Sequence, residues 1–176
     1  MIIKLSDSFT YKKLIRFTFP SIIMMIFSSI YGVVDGFFVS NFVGKTPFAA
    51  VNFIFPFIMV LGAFGFMFGT GGSALVSKTM GEGDKERANK IFSMIIYISI
   101  AFGILISIAG IIFIRPIAQF LGADGEMLEY CIIYARVILS ALPAFMLQME
   151  FQSFFIAAEK PQLGLYTTIG AGVTNM

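Results

Sequence analysis

The sequence predicts an all-α integral membrane protein, a polytopic helix bundle. Three observations carry that prediction. The first is compositional: of 176 residues, 58% are apolar and only 12% charged, with 22 Phe and a mean hydropathy of +0.91. A soluble domain carries roughly 25% charged residues. The second is that the apolar residues gather into segments long enough to cross a hydrocarbon core of ~30 Å, which takes about 20 helical residues. The third is that the basic residues fall mostly on one side once those segments are laid end to end. The same composition excludes other classes. Apolar content this high excludes disorder. The single cysteine, Cys131, excludes a disulfide framework, and the lack of His excludes zinc sites and His-based catalysis. A net charge of +2 gives no electrostatic footprint for nucleic acid. No paired acids or nucleophile constellation is present, so an enzyme is not expected.

In chain order, the first span covers about 14–42 and carries one charge, Asp35. Its apolar stretch, longer than about 20 residues, exceeds the core of a signal peptide. The turn Gly44-Lys45-Thr46-Pro47 leads into a second span over about 48–77, free of charge. Gly81-Glu82-Gly83-Asp84 opens a charged stretch, Glu82–Lys90, read as a loop before a third span over about 91–114. Without a preceding strand or a Gly-Lys-Ser/Thr this stretch is not a phosphate loop. The fourth span, about 127–158, carries Glu129 near its start, then Arg136 and Glu150. A fifth begins at about Leu163 and stops at Met176, fourteen residues that are too few to span. Pro47 and Pro161 suit the first turns of the helices that follow them. Small residues at four-residue spacing mark packing seams: Gly65, Gly69, Ser73 and Ser77 in the second span, and Ser99, Gly103 and Ser107 in the third.

Of the twelve Lys and Arg residues, nine (Lys4, Lys12, Lys13, Arg16, Lys78, Lys85, Arg87, Lys90 and Lys160) fall on one side of these spans. Lys45 and Arg115 fall on the other, and Arg136 lies inside the fourth span. This asymmetry predicts a multi-pass protein of the cell membrane with a cytoplasmic N-terminus.

Charged and polar groups within spans are the functional candidates. Asp35 shares a helix face with Ser28, Tyr31 and Gly32, at i−7, i−4 and i−3. Desolvation of this carboxyl would favour its neutral form, ready to exchange a proton or to bind a cation. The competing reading is a carboxylate held by static hydrogen bonds. Pro20, fifteen residues earlier, is either a hinge within the helix or a first-turn proline. In the fourth span Gln148 and Gln152 share one face, and Glu150 points to the opposite side. An aqueous cavity accounts for this polarity, with Tyr31, Gln148, Glu150 and Gln152 as its candidate lining. Alternatively, Glu150 snorkels to the cytoplasmic interface, as Arg136 is expected to do at its own end.

These motifs together resemble the multidrug and toxic-compound extrusion family, in particular its bacterial DinF-like and MepA-like branch. The resemblance rests on Phe19-Pro20 with Asp35 in Tyr31-Gly32-Val33-Val34-Asp35, and on Gly69-Thr70-Gly71-Gly72-Ser73-Ala74-Leu75 followed by Gly81-Glu82-Gly83-Asp84 and Ala88. It continues through Tyr134-Ala135-Arg136 and Gln152-Ser153-Phe154-Phe155-Ile156-Ala157-Ala158 to Pro161 and Asn175. The resemblance implies most of the N-terminal six-helix lobe of a twelve-helix transporter, with the C-terminal remainder of the same chain missing and the fragment alone inactive. It implies export of small lipophilic or cationic drugs and toxins in exchange for Na⁺ or H⁺. Asp35 would be the ion-coupling acid and Asn175 a member of the same polar cluster, together the only place for Na⁺. No cofactor, other metal or nucleic-acid partner is implied; the lipid bilayer is the surrounding medium. Two rival readings are a lipid-linked oligosaccharide flippase of the same superfamily, which calls for more basic residues inside the helices, and a non-transporting membrane scaffold, which has no use for Asp35.

Overall fold

A computed structural model describes residues 10–175, with side chains through residue 173. The described chain is a bundle of six helices: α1 (Tyr11–Phe38), α2 (Lys45–Gly81), α3 (Lys85–Leu121), α4 (Gly125–Ser140), α5 (Leu142–Ala157) and α6 (Pro161–Asn175). A π-helical turn, Val39–Val43, extends α1 and ends at Gly44, whose N–H reaches the Val39 carbonyl at 3.3 Å. Three helices, α1 with its extension, α2 and α3, are each long and apolar enough to cross a membrane. Together α4 and α5 make a fourth crossing, bent by 56°.

Both α2 and α3 run past the apolar segments that predict them, to 37 residues each. At 1.5 Å per residue such a helix is roughly 55 Å long, well beyond the hydrocarbon core. The charged stretch Glu82–Lys90, expected as a loop, is therefore largely helix. Asp84 caps α3 by accepting from the Arg87 N–H at 3.0 Å. Glu86 and Lys90 then pair one turn apart at 2.7 Å, and Lys78 and Glu82 do so across the end of α2 at 3.9 Å. Local capping and i,i+4 pairing keep the chain helical where hydropathy has stopped reporting.

The expected single fourth span is broken at Ala141. Pro143 is the second residue of α5 and has no N–H to give the Leu139 carbonyl one turn back. That carbonyl instead accepts from the Ser107 hydroxyl of α3. The break is thus satisfied from a neighbouring helix, as backbone inside a membrane must be.

The bend lets one strand of sequence pack at two levels. Above the break, Cys131, Ala135 and Leu139 of α4 meet Ile54 and Ile58 of α2 and Ile114 and Ala118 of α3 in a fully enclosed core. The Cys131 thiol is directed at the Ala50 carbonyl, 3.6 Å away. Below it, α5 lies against the glycines of α2. A methyl group at Gly65 would stand 2.6 Å from the Met146 Cα, and one at Gly69 2.8 Å from the Glu150 Cα. These contacts are backbone to backbone, and only glycine permits them. The seam runs Gly62, Gly65, Gly69, Gly72, a three-four-three spacing; of the expected four-residue run, Gly65, Gly69 and Ser73 are buried and Ser77 is only half-buried. Three-four-three spacing holds one face of a helix better than steps of four, which drift around a 3.6-residue turn. On α3, Ser99, Gly103, Ser107 and Gly110 form the matching buried face.

The remaining pair stands apart. α1 packs on α6 in parallel: Met24 lies beside Gly164, and the Phe27 ring fills the space a side chain at Gly172 would need. Pro20 is the only buried residue of α1.

Candidate functional site

The space between α1, α5 and α6 is where the polar residues meet. One cavity of about 230 Å³ is lined by Phe27, Ser28 and Tyr31 of α1, Gln148 of α5, and Thr168, Ala171 and Gly172 of α6. A second, of about 290 Å³, is lined by Gln148, Phe151, Gln152, Phe155, Thr167, Thr168 and Ala171. They share Gln148, Thr168 and Ala171. Each falls just short of the ~300 Å³ lower end of small-molecule sites, and together they lie within that range. Gln148 and Gln152 are brought here by helical period, at i and i+4 on α5. Tyr31 and Ser28 arrive in the same way on α1.

The lining is uncharged but rich in hydrogen-bonding groups: two carboxamides, one phenol and three hydroxyls, set among three phenyl rings. Thr167 spends its hydroxyl hydrogen on the carbonyls of Leu163 and Gly164, at 3.0 and 2.9 Å, leaving its oxygen as an acceptor. Aromatic faces with acceptor oxygens suit an organic cation that carries apolar groups. Thr167 and Thr168 were not among the residues expected at a site; their signal is an adjacent hydroxyl pair inside an otherwise apolar helix.

Asp35 lies one turn beyond Tyr31 on the same face of α1 and is exposed. The chain's own packing therefore does not desolvate it as the sequence suggested. Tyr134 of α4, half-buried, lies within electrostatic reach of both Asp35 and Tyr31, so three oxygen-bearing side chains gather at this level. Asn175 ends α6. Its side chain lies outside the described residues. Continuing the parallel register from Phe27 and Gly172 brings its backbone level with roughly Ile30 and Tyr31, about a turn short of Asp35.

Pro20 stands ten residues into α1, so it is an interior proline with no N–H for the Arg16 carbonyl, not a first-turn residue. Arg136 is exposed on α4, on the face turned from the core. Glu150 departs from expectation. It neither lines the cavities nor snorkels: it is 0% exposed, held on the far side of α5 against α2 and α3. Periodicity set its direction correctly, but that direction leads into protein. Among the described residues no group of three His, Cys, Asp or Glu side chains could hold a metal ion. A larger groove of about 710 Å³ is lined only by apolar residues of α2 and α3, among them Phe57, Phe113 and Phe120, and offers nothing to orient a polar ligand.

Comparison with known proteins places these features in context. The family described as MatE matches residues 20–176. The multidrug export protein MepA of Staphylococcus haemolyticus is 28% identical over 170 residues, 95% of this chain and 38% of the relative. The chain thus spans well under half the length of the curated relatives it matches. Among solved structures, the MATE transporter ClbM in complex with Rb⁺ superposes with a TM-score of 0.86 at 26% identity, covering 99% of this chain and 39% of that one. A MATE crystal structure in the bent conformation superposes with a TM-score of 0.83 at 27% identity, covering 93% and 37%.

Proposed function

The chain belongs to the MatE family, and from that premise we propose that the protein carrying it exports lipophilic, cationic compounds from the cell in exchange for Na⁺ or H⁺. The observation that carries this reading is the convergence of Tyr31, Gln148 and Gln152 on cavities between α1, α5 and α6, with Asp35 one turn away on the same face of α1. The relatives' names support it: MepA is a multidrug export protein, and ClbM binds a monovalent cation in its crystal structure.

In this reading Asp35 is the ion-coupling acid, and Asn175 contributes to the same polar cluster. The cavity walls of α5 and α6 hold the drug by apolar contact, aromatic faces and amide oxygens. Protonation or cation binding at Asp35 changes the packing of α1 on α6. Pro20, lacking its backbone hydrogen bond, is where α1 bends. The coupling requires that the ion bind the bent and straight arrangements with different affinity; otherwise it moves nothing. The protein lies in the cell membrane with its N-terminus in the cytoplasm. Lys12, Lys13, Arg16, Lys78, Lys85, Arg87, Lys90 and Lys160 all fall at that end of the described bundle. A flippase for lipid-linked oligosaccharides is less well supported, because no basic side chain lines the two cavities.

The test is Asp35→Asn in the whole protein. Drug resistance conferred on cells is expected to be lost, with membrane expression unchanged. Undiminished resistance would remove Asp35 from the mechanism.

A further inference from the structure

The most enclosed acidic group in the described structure is not in the proposed transport path. Glu150 is 0% exposed, and so is Ser99, its neighbour on α3. Ser99 is the polar side chain in interaction range of the carboxyl. Yet neither carboxyl oxygen nor the Ser99 hydroxyl reaches hydrogen-bond geometry with any partner among the described residues. On the third side, the Gly69 backbone of α2 lies against the Glu150 main chain.

No charge faces this carboxyl from any helix packed around it. α2 carries Lys45 and Lys78 at its ends. α3 carries Lys85, Glu86, Arg87 and Lys90 in its first turns and Arg115 in its last two turns, with Tyr97 turned outward at 73% exposure. α5 has no other charged residue, and α6 has only Tyr166 as a titratable group, 66% exposed. Lys78 and Lys90 are the nearest cations by register, each about nine residues, or roughly 13 Å, along its helix from the level of Glu150. An ionised carboxylate enclosed without countercharge or hydrogen bond is a costly arrangement. Three oxygens fall short of the roughly six that a hard metal cation takes. They suffice for a proton.

We propose that Glu150 and Ser99 form a second proton-binding site, sealed between α2, α3 and α5 and separate from Asp35. The carboxyl O–H donates to the Ser99 oxygen and so ties α5 to α3 about two turns below the Pro143 break. Release of that proton requires α5 to move off the Gly69 backbone, so occupancy reports the packing of the lobe. The inference does not rest on the transport reading.

Infrared difference spectroscopy of the intact protein in its membrane tests it. A protonated-carboxyl C=O band that resists both deuterium exchange and alkaline buffer is expected. Glu150→Gln should delete that band, Ser99→Ala should shift it, and Asp35→Asn should leave it in place. Where Glu150→Gln fails to reach the membrane, Ser99→Ala carries the test alone. An unshifted spectrum in Ser99→Ala, no band lost in Glu150→Gln, or a band abolished by NaCl at fixed pH would each overturn the proposal, the last by assigning the site to a metal cation.

Discussion

α1 and α2 are both long apolar helices with a proline inside, yet their fates differ. Of the most apolar stretch of α2, 22% is buried within the protein; of α1, none is. The difference lies in what their small residues face. The α2 glycines meet the backbone of α5 at Met146 and Glu150, whereas Gly32 on α1 has nothing within 4 Å of where a side chain would begin. The lobe is thus a close-packed frame, α2 to α5, with a lighter α1–α6 wall laid beside it. Cavities and hydrogen-bonding groups collect at the joint between frame and wall. Elements with few buried contacts are drawn from the low-stability end of a structure and can move at small cost.

The sharpest way to break this contrast is to thicken the frame. Gly65→Ala puts a methyl group 2.6 Å from the Met146 Cα, where no side chain can step aside. Overpacking of this kind costs about 1–3 kcal/mol and more where backbones must part. A marked fall in the thermal midpoint by circular dichroism, or loss of monodisperse protein in detergent, is expected. Next comes Ser107→Ala, which strips the Leu139 carbonyl of the donor that compensates Pro143. The expected loss is about 1–3 kcal/mol, the cost of a buried group left unpaired. Ser107→Thr, which keeps the hydroxyl, should lose less than Ser107→Ala if the hydrogen bond is the cause. The smallest effect belongs to the wall. Gly32→Ala should not lower stability and should gain at most about 1 kcal/mol, since it meets open space and improves helix propensity. A Gly32→Ala loss as large as that of Gly65→Ala would mean that the wall is packed as tightly as the frame.

Much of this was legible in the sequence, because the bilayer imposes one rule on every span. The order of the membrane crossings, the turns at Gly44 and Glu82, and the first-turn places of Pro47 and Pro161 all follow from hydropathy and local chemistry. The shared face of Gln148 and Gln152 follows from the 3.6-residue period. What escaped depends on partners far along the chain. The break before Pro143 is tolerable only because Ser107, thirty-two residues earlier, serves the freed carbonyl. Glu150 was correctly directed away from the glutamines, but period alone does not say whether the opposite face meets lipid, water or helix. That answer lies with Gly69 and Ser99. Asp35 shows the reverse case: the acid that sequence reasoning would bury is left exposed by α1, because among the described helices the main partner of α1 is α6.

Cys131 gives this packing a practical use. It is the only thiol in the chain, and at 0% exposure, pointed at the Ala50 carbonyl, it is sealed from reagents. A maleimide therefore finds no native target in this segment while the frame stays closed. A cysteine introduced at Tyr31, Gln148 or Thr168 would report alkylation against a silent background, with no need to remove Cys131 and disturb the core. Labelling rates read in living cells, with and without drug, would then time the opening of the joint one position at a time.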